Sequence, residues 1–300
     1  MGALEGRVAI VTGAGRGVGR EEALLLAAEG AAVVVNDLGG ATDGTGRDVG
    51  PAEEVVEEIR AAGGRAVANG ADVSDWDAAT AMVEQAVGEF GRLDVLVNNA
   101  GILRDRSIVN VEPAEWELVQ AVHLRGHAAT TRAAGAYWRQ RAKAGEPVAA
   151  SIVNTTSVSG LFGNFGQTNY GSAKAGIAAL TVITQIELGG YGVRCNAIAP
   201  YARTRLSAEA EVEGTPRFDP LEPGNIAPFV GYLATEQCPI AGKIFYVHGG
   251  RVQLVQPYTL AESITKDGRW TVDELATAAQ VLADVDTTPT MPVADPVLWT

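Results

Sequence analysis

The sequence predicts an α/β fold: a single doubly wound, mostly parallel sheet with helices on both faces. Three observations carry that expectation. Short, apolar, β-branched runs alternate with segments of helical spacing along most of the chain. A glycine-rich turn stands between the first such run and the first helix. With 300 residues, 47% of them apolar, there is ample material for one large core.

Arg7 to Thr12 (RVAIVT) is the first strand, and it runs into Gly13-Ala-Gly-Arg-Gly-Val-Gly19. An Ala- and Leu-rich helix follows, Arg20 to Glu29. Strand, turn and helix N-terminus together form a phosphate-binding arrangement. Gly13, Gly17 and Gly19 let the backbone approach a pyrophosphate beside Arg16 and Val18, and the helix dipole favours its charge. The spacing is TGxxxGxG rather than GxGxxG. Ala31 to Asn36 is the second strand and delivers Asp37, 20 residues after Gly17. A carboxylate there would hold the adenosine ribose hydroxyls of a dinucleotide. Asp37 accepts from a free 2′-hydroxyl and repels a 2′-phosphate, whereas Arg16 could pair with that phosphate. The carboxylate excludes the phosphate directly, so NAD is expected over NADP.

Leu38 to Pro51 reads as an exposed, mobile Gly- and Asp-rich loop. Residues 52 to 62 form an amphipathic helix and Ala66 to Ala71 the third strand. Asp72 and Val73 at its end would face an adenine, although Asp72 also suits a helix cap. Ser74 opens the next helix, with Asp77 three residues on. Leu93 to Val97 is the fourth strand and flows into Asn98-Asn-Ala-Gly101. The Asn pair can tie neighbouring strands together, with Asn99, Ala100 and Gly101 leaving room beside a nicotinamide ribose. Arg104 and Arg106 then either meet substrate phosphates or lie solvated around Asp105. Glu112 to Gly135 reads as one long helix or two end to end, carrying His123.

The stretch Asn154 to Ile177 (NTTSVSGLFGNFGQTNYGSAKAGI) concentrates the chemistry. Ser151 to Thr156 reads as a buried strand, followed by a Gly-rich loop and a small-residue helix. On that helix Tyr170 and Lys174 are one turn apart on a single face. A phenol is a poor base at neutral pH, and a neighbouring ammonium favours the phenolate. Ser157, at the strand end, can offer a hydroxyl to the same point. A Ser, a Tyr and a Lys thus form a proton-transfer site for an alcohol or ketone. Beyond it, Val193 to Ala199 is the sixth strand, followed by Pro200-Tyr-Ala-Arg-Thr204, where Thr204 could bond a nicotinamide carboxamide. Residues 205 to 224 suit a flap over the substrate. Ile226 to Thr235 is a helix, and Lys243 to Val247 the seventh and last strand, so the sheet ends near Gly250. Thr271-Val-Asp-Glu274 is a capping box in the tail. No internal repeat and no linker before about residue 250 is evident.

The formal net charge of −13 argues against nucleic acid and anionic membranes as partners. Cys195 and Cys238, the two cysteines, lack metal-ligand spacing and suit buried reduced thiols, so no metal is expected. No signal peptide and no apolar run of 18 residues is evident, and a cytoplasmic location is expected.

TGAGRGVG at 12–19, NNAG at 98–101, Ser157 and YGSAK at 170–174 together resemble the short-chain dehydrogenase/reductase family. The resemblance covers residues 5 to 250. It implies a single-domain Rossmann enzyme that uses NAD or NADP, acts on a small molecule and forms a homodimer or homotetramer. By it Tyr170 is the acid/base, Ser157 holds the substrate oxygen, and Lys174 binds the nicotinamide ribose. VVVNDLGG at 33–40, NNAGILRDRS at 98–107, VHLRG at 122–126 and GNFGQTNY at 163–170 resemble a narrower branch. That branch is the (3R)-hydroxyacyl-CoA dehydrogenase domain of the multifunctional type 2 enzymes of peroxisomes. It implies oxidation of a (3R)-hydroxyacyl-CoA, with Leu161, Phe165, Gln167 and Tyr201 lining the acyl pocket. It also implies a catalytic and dinucleotide-binding domain over 1–250 and an extension over 251–300 packed on the core or on a neighbouring subunit. A 17β-hydroxysteroid dehydrogenase and a 3-oxoacyl-carrier-protein reductase are the enzymatic rivals; a non-catalytic NAD-binding subunit is the other class. Two departures stand out. His123 occupies the position where most of the family carries an Asn that serves a proton relay, and Pro200-Tyr201 replaces the usual Pro-Gly.

Overall fold

A computed structural model describes residues 2–203, 218–256 and 258–285. Its strands are β1 (Val8–Thr12), β2 (Ala32–Asn36), β3 (Arg65–Asn69), β4 (Val95–Asn98), β5 (Ala150–Thr155), β6 (Val193–Tyr201), β7 (Ile244–His248) and β8 (Arg251–Val255). The α-helices are α1 (Gly17–Ala28), α2 (Gly50–Ala61), α3 (Trp76–Phe90), α4 (Pro113–Gln120), α5 (Gly126–Lys143), α6 (Val158–Phe162), α7 (Thr168–Leu188), α8 (Ala227–Ala234), α9 (Val272–Ala278) and α10 (Gln280–Ala283).

Side chains of β1 alternate between two covered faces. Val8 and Ile10 join an apolar cluster with Met82 and Val83 of α3 and Trp138 of α5. Ala9 and Val11 join another with Leu26 of α1, Val55 of α2 and Val230 of α8. Burial on both faces is why these strands read as continuous apolar runs rather than as alternating ones. The sheet order is β3-β2-β1-β4-β5-β6-β7-β8, parallel from β3 through β7. β1 lies between β2 and β4, so the winding reverses there and opens a crevice at the carboxyl ends of the strands.

Four local expectations are corrected. The sheet has eight strands rather than seven, because the Gly249-Gly250 pair turns the chain back and β8 pairs antiparallel with β7. Gly249 sits at φ 52, a conformation that suits a two-residue hairpin turn. The sheet therefore runs past the end expected near Gly250. The cap of α3 is Asp75, not Ser74: its carboxylate accepts from the N–H groups of Asp77 and Ala78. The Gly-rich stretch after β5 contains the short helix α6, capped by Ser157. Helices α4 and α5 run end to end, as one of the two expected forms had it, joined without a break by a π turn, Ala121–Arg125, on which His123 sits. The fourth correction is the loop after β2, expected to be exposed and mobile. Its first half is docked: Thr42 O accepts from Leu103 N at 2.9 Å and Asp43 O from Arg104 Nε at 2.7 Å. The capping box of Thr271 and Glu274 starts α9 as expected. No helix of the described residues is long and apolar enough to cross a membrane.

One buried group sits awkwardly in this core. Glu22 of α1 is 0% exposed, and neither carboxylate oxygen has a hydrogen-bond partner among the described residues.

Candidate active site

The crevice at the carboxyl ends of the strands holds a cavity of about 410 Å³. Gly13, Arg16, Gly17 and Val18 line one end of it. Gly13 and Gly17 have φ of 63 and 58, so a side chain at either would be strained. A Cβ on Gly13 would lie 2.7 Å from Ala100 Cα, and one on Gly19 would lie 2.3 Å from Asn99 Nδ2. Gly19 is thus behind the wall, where it lets α1 close onto the turn. Asn99 locks the turn from below: its Nδ2 donates to Thr12 O and Gly13 O. Helix α1 starts with no side-chain cap, so its first N–H groups are left for a ligand. Asp37 stands at the end of β2 with Oδ2 accepting from Gly15 N at 2.8 Å and Oδ1 from Gly39 N at 2.7 Å. Asp72 and Val73 lie on the same wall, and Asp72 Oδ1 also accepts from Ser74 N and Oγ. Glycine cradle, free helix N-terminus and strand-end carboxylate fit a dinucleotide.

At the other end the cavity meets Ser157, Tyr170, Lys174 and Pro200, with Asn99, Ala100 and Gly101 between. The β5 end and the α6 N-terminus place Ser157, and its Oγ accepts from Ser159 N at 3.2 Å. Helix α7 carries Tyr170 and Lys174 on one face. Lys174 is 2% exposed; its Nζ donates to Thr155 O at 2.6 Å and stands 5.6 Å from the centre of the Tyr170 ring. Burial pulls the ammonium down to about 7. Burial also pushes the Tyr170 phenol above its ordinary value; the Ser157 hydroxyl pulls it back and the Asp105 carboxylate pushes it up. Here the sequence expectation needs correction, because desolvation sets the direction and the Lys174 ammonium is not among the groups that act on the phenol. A phenol so placed ionises on the alkaline side.

His123 is 1% exposed and packs edge-on to Tyr170, with ring centres 5.2 Å apart. Its Nε2 lies 3.0 Å from Ile102 N and 2.8 Å from Ile102 O. Burial, and then the charge of Lys174, hold its pKa well below the ordinary value, so the ring is neutral. It lines the cavity between the Tyr170 ring and the segment after β4.

Of the four residues expected around the substrate, Gln167 and Tyr201 face the cavity. Two do not. Leu161 turns instead to the cluster of Ala178, Ala197 and Ile244, where α6 packs along α7. Phe165 is 93% exposed at the tip of its loop. Gln167 bonds the frame: Nε2 donates to Asp105 Oδ2, and Oε1 accepts from Ser159 Oγ at 2.6 Å. Arg104 and Arg106 pair with Asp43 and Glu115. Thr204 and most of the expected flap lie outside the described residues. Sequence reasoning missed Leu38, Ala41 and Thr42, which wall the cavity. The signal was the glycine spacing of that loop: Gly44 sits at φ 85, where a side chain would be strained, and a Cβ there would lie 3.0 Å from Ile102 and 3.3 Å from Leu118.

Comparison with known proteins agrees with this geometry. The family model described as short chain dehydrogenase matches residues 7–212. The hydroxyacyl-CoA dehydrogenase ChsB1 of Mycobacterium tuberculosis is 45% identical over 285 residues, covering 91% of this chain and 87% of that protein. The peroxisomal multifunctional enzyme type 2 of Drosophila melanogaster is 47% identical over 234 residues, covering 78% of this chain and 37% of that protein. The crystal structure of a short chain dehydrogenase from Mycobacterium avium superposes with a TM-score of 0.85 at 48% identity, covering 97% of this chain and 98% of that one.

Proposed function

The chain belongs to the short chain dehydrogenase family, and from that premise we propose that it oxidises a (3R)-hydroxyacyl-CoA to the 3-oxoacyl-CoA with NAD as coenzyme. It is an oxidoreductase of CH–OH donors. The observation that carries the substrate class is the 45% identity with a hydroxyacyl-CoA dehydrogenase along nearly the whole chain, joined to a cavity wall where Ser157, Tyr170 and Lys174 converge.

Gly13, Arg16, Gly17 and Val18 would hold the pyrophosphate end of the coenzyme, Asp37 the adenosine ribose, Asp72 and Val73 the adenine, and Lys174 the nicotinamide ribose. When bound, NAD supplies the hydride acceptor. Tyr170 as phenolate takes the proton of the substrate hydroxyl, and Ser157 donates to the substrate oxygen as its charge changes. Gln167 and Asp105 keep the two loops framing Tyr170 in register, and Tyr201 borders the acyl side.

NADH formation tests this reading, using matched (3R)- and (3S)-hydroxyacyl-CoA beside a 17β-hydroxysteroid. The 3R thioester alone should turn over. Turnover of the steroid alone would replace the substrate class.

The choice of NAD rests on Asp37, whose charge opposes a 2′-phosphate. Asp37→Asn keeps the size and part of the bonding to Gly15 and Gly39 and removes the charge. The ratio of kcat/KM for NADP to that for NAD should rise by roughly tenfold or more, from the loss of like-charge repulsion. An unchanged ratio would move the selectivity to Arg16 and the loop after β2. The working form is taken to be a cytoplasmic homodimer or homotetramer with the tail on the core or a neighbouring subunit. The exposed Val252 and Leu254 of β8 offer surface for it, and sedimentation measures it.

A further inference from the structure

One fully buried side chain beside the reacting groups has no part in the mechanism above. Asn169, next to Tyr170 in the first turn of α7, is 0% exposed. Its Oδ1 accepts from Tyr170 N at 2.7 Å, and its Nδ2 donates to Arg104 O at 2.8 Å. Gln120 of α4 donates its Nε2 to Asn169 O at 2.9 Å. The Asn169 amide has one orientation, because the reverse would set donor against donor and acceptor against acceptor.

The way α7 begins explains half of this bonding. The first N–H groups of a helix have no intrahelical acceptor, and the residue before the helix ordinarily supplies one. Gln167 stands there and makes no cap bond with its side chain. That side chain is committed instead to Ser159, Asn164 and Asp105. Asn169, from inside the first turn, supplies the acceptor for the Tyr170 N–H.

The other half reaches the segment after β4, where each residue from Ile102 to Asp105 is held. Ile102 N bonds His123 Nε2 at 3.0 Å, and Leu103 N donates to Thr42 O at 2.9 Å. Arg104 Nε donates to Asp43 O at 2.7 Å, and Asp105 Oδ2 accepts from Gln167 Nε2 at 2.9 Å. Thr42 belongs to the loop that follows Asp37 and walls the cavity. Two side-chain bonds thus tie the start of α7 to this framework, from Gln167 and from Asn169. The Gln167 bond is exposed, and water competes for it. The Asn169 bond comes from a side chain shielded from water, where a hydrogen bond is stronger.

We propose that Asn169 is a positioning residue for the reaction: by bonding the Tyr170 N–H and the Arg104 carbonyl together, it fixes the turn that carries Tyr170 against the loops after β2 and β4. This rests on the alcohol oxidation proposed above for its consequence, though not for its geometry. Asn169 acts through Tyr170, since it has no surface of its own in the cavity. A displacement of about 1 Å at a reacting group can lower a rate by about a hundredfold. In Asn169→Ala the turn loses its acceptor and its tether at once. The kcat for oxidation should fall by about tenfold to a hundredfold, with NAD affinity within roughly twofold, because no coenzyme contact is removed. The rise of kcat with pH should persist, because Tyr170 is still the base.

The test sets Asn169→Ala beside Trp138→Phe, which removes the buried bond from Trp138 Nε1 to Leu93 O at the end of β4 opposite the site. Rates are taken well below both melting transitions, with whichever alcohol the wild type oxidises fastest. A kcat loss of about tenfold or more in Asn169→Ala, with Trp138→Phe within roughly twofold of wild type, supports the role. A smaller loss overturns it, and so does an equal loss in Trp138→Phe, which would reflect stability alone. Hydrogen exchange of the NAD-bound chain is read without substrate. Peptides covering 103–106 and 168–171 should lose protection in Asn169→Ala, and unchanged protection overturns the role whatever the rates. If Asn169→Ala gives no cooperative melt, Asn169→Ser is read in its place by the same criteria, since its shorter side chain stops short of Arg104 O. Absence of hydroxyacyl-CoA turnover in the wild type would defeat the proposed substrate and leave the role of Asn169 standing. With no alcohol oxidised at all, the exchange result alone decides.

Discussion

Tyr170→Phe should lower kcat by about a thousandfold or more while NAD affinity stays within roughly twofold, since a positioned general base commonly contributes 10²–10⁴. The ring of Tyr170 packs edge-on to His123, and phenylalanine keeps that contact. What disappears is the oxygen that Ser157 bonds and that faces the substrate position. Burial pushes the phenol up, so the wild-type oxidation rate climbs as pH rises and more of Tyr170 becomes phenolate. Tyr170→Phe should lose that climb altogether. Steady-state rates across pH, with coenzyme affinity from NADH fluorescence, separate the two effects. Retained activity with the same pH climb would remove Tyr170 from the mechanism.

The second large effect is on stability. Burial raises the Glu22 carboxyl from 4.5 to about 8, with no partner among the described residues to offset it. Below about pH 4.5 the carboxyl is protonated in folded and unfolded chains alike, and it costs nothing. Between 4.5 and 8 the unfolded chain releases a proton that the folded chain retains, so stability falls as pH rises. The fall is about 1.4 kcal/mol per pH unit, and it is complete above the folded pKa at on the order of 5 kcal/mol. Glu22→Gln has nearly the same shape and no charge to lose. Urea unfolding should find the two proteins close at pH 5 and the Gln variant more stable by on the order of 4 kcal/mol at pH 8. Parallel pH profiles would mean that the Glu22 carboxylate is paired in solution.

Much of the architecture was legible because two-sided burial writes itself into the strands. Val8 to Thr12 and Ala32 to Asn36 are buried at every position, and such runs stand out in a sequence. The eighth strand was not legible in the same way. Val252, Gln253 and Leu254 are exposed on one edge, so no apolar run announces them, and only the Gly-Gly turn before them does. The π turn was also silent, since a helix widened by one residue leaves helical spacing nearly intact.

At the site, the residues fixed by backbone geometry were the legible ones. Glycines at 13 and 17 answer to positive φ, and the four-residue interval of Tyr170 and Lys174 answers to one helical turn. The pocket wall was less so. Leu161 and Phe165 look equally suited to an acyl chain, yet the lie of α6 turns one into the core and leaves the other in solvent. Likewise, the balance of charges at Tyr170 depends on depth. Neither the burial of Lys174 nor the approach of Asp105 to the phenol follows from spacing along the chain.

The most direct test of the account is the fate of the hydrogen at C3. (3R)-3-Hydroxyacyl-CoA carrying deuterium at C3 is incubated with the enzyme and NAD, and the products are read by mass spectrometry. The account predicts one deuterium in NADH for each 3-oxoacyl-CoA formed, none from the 3S isomer, and none from Tyr170→Phe. Binding of NAD with no label transferred from the 3R substrate would contradict it.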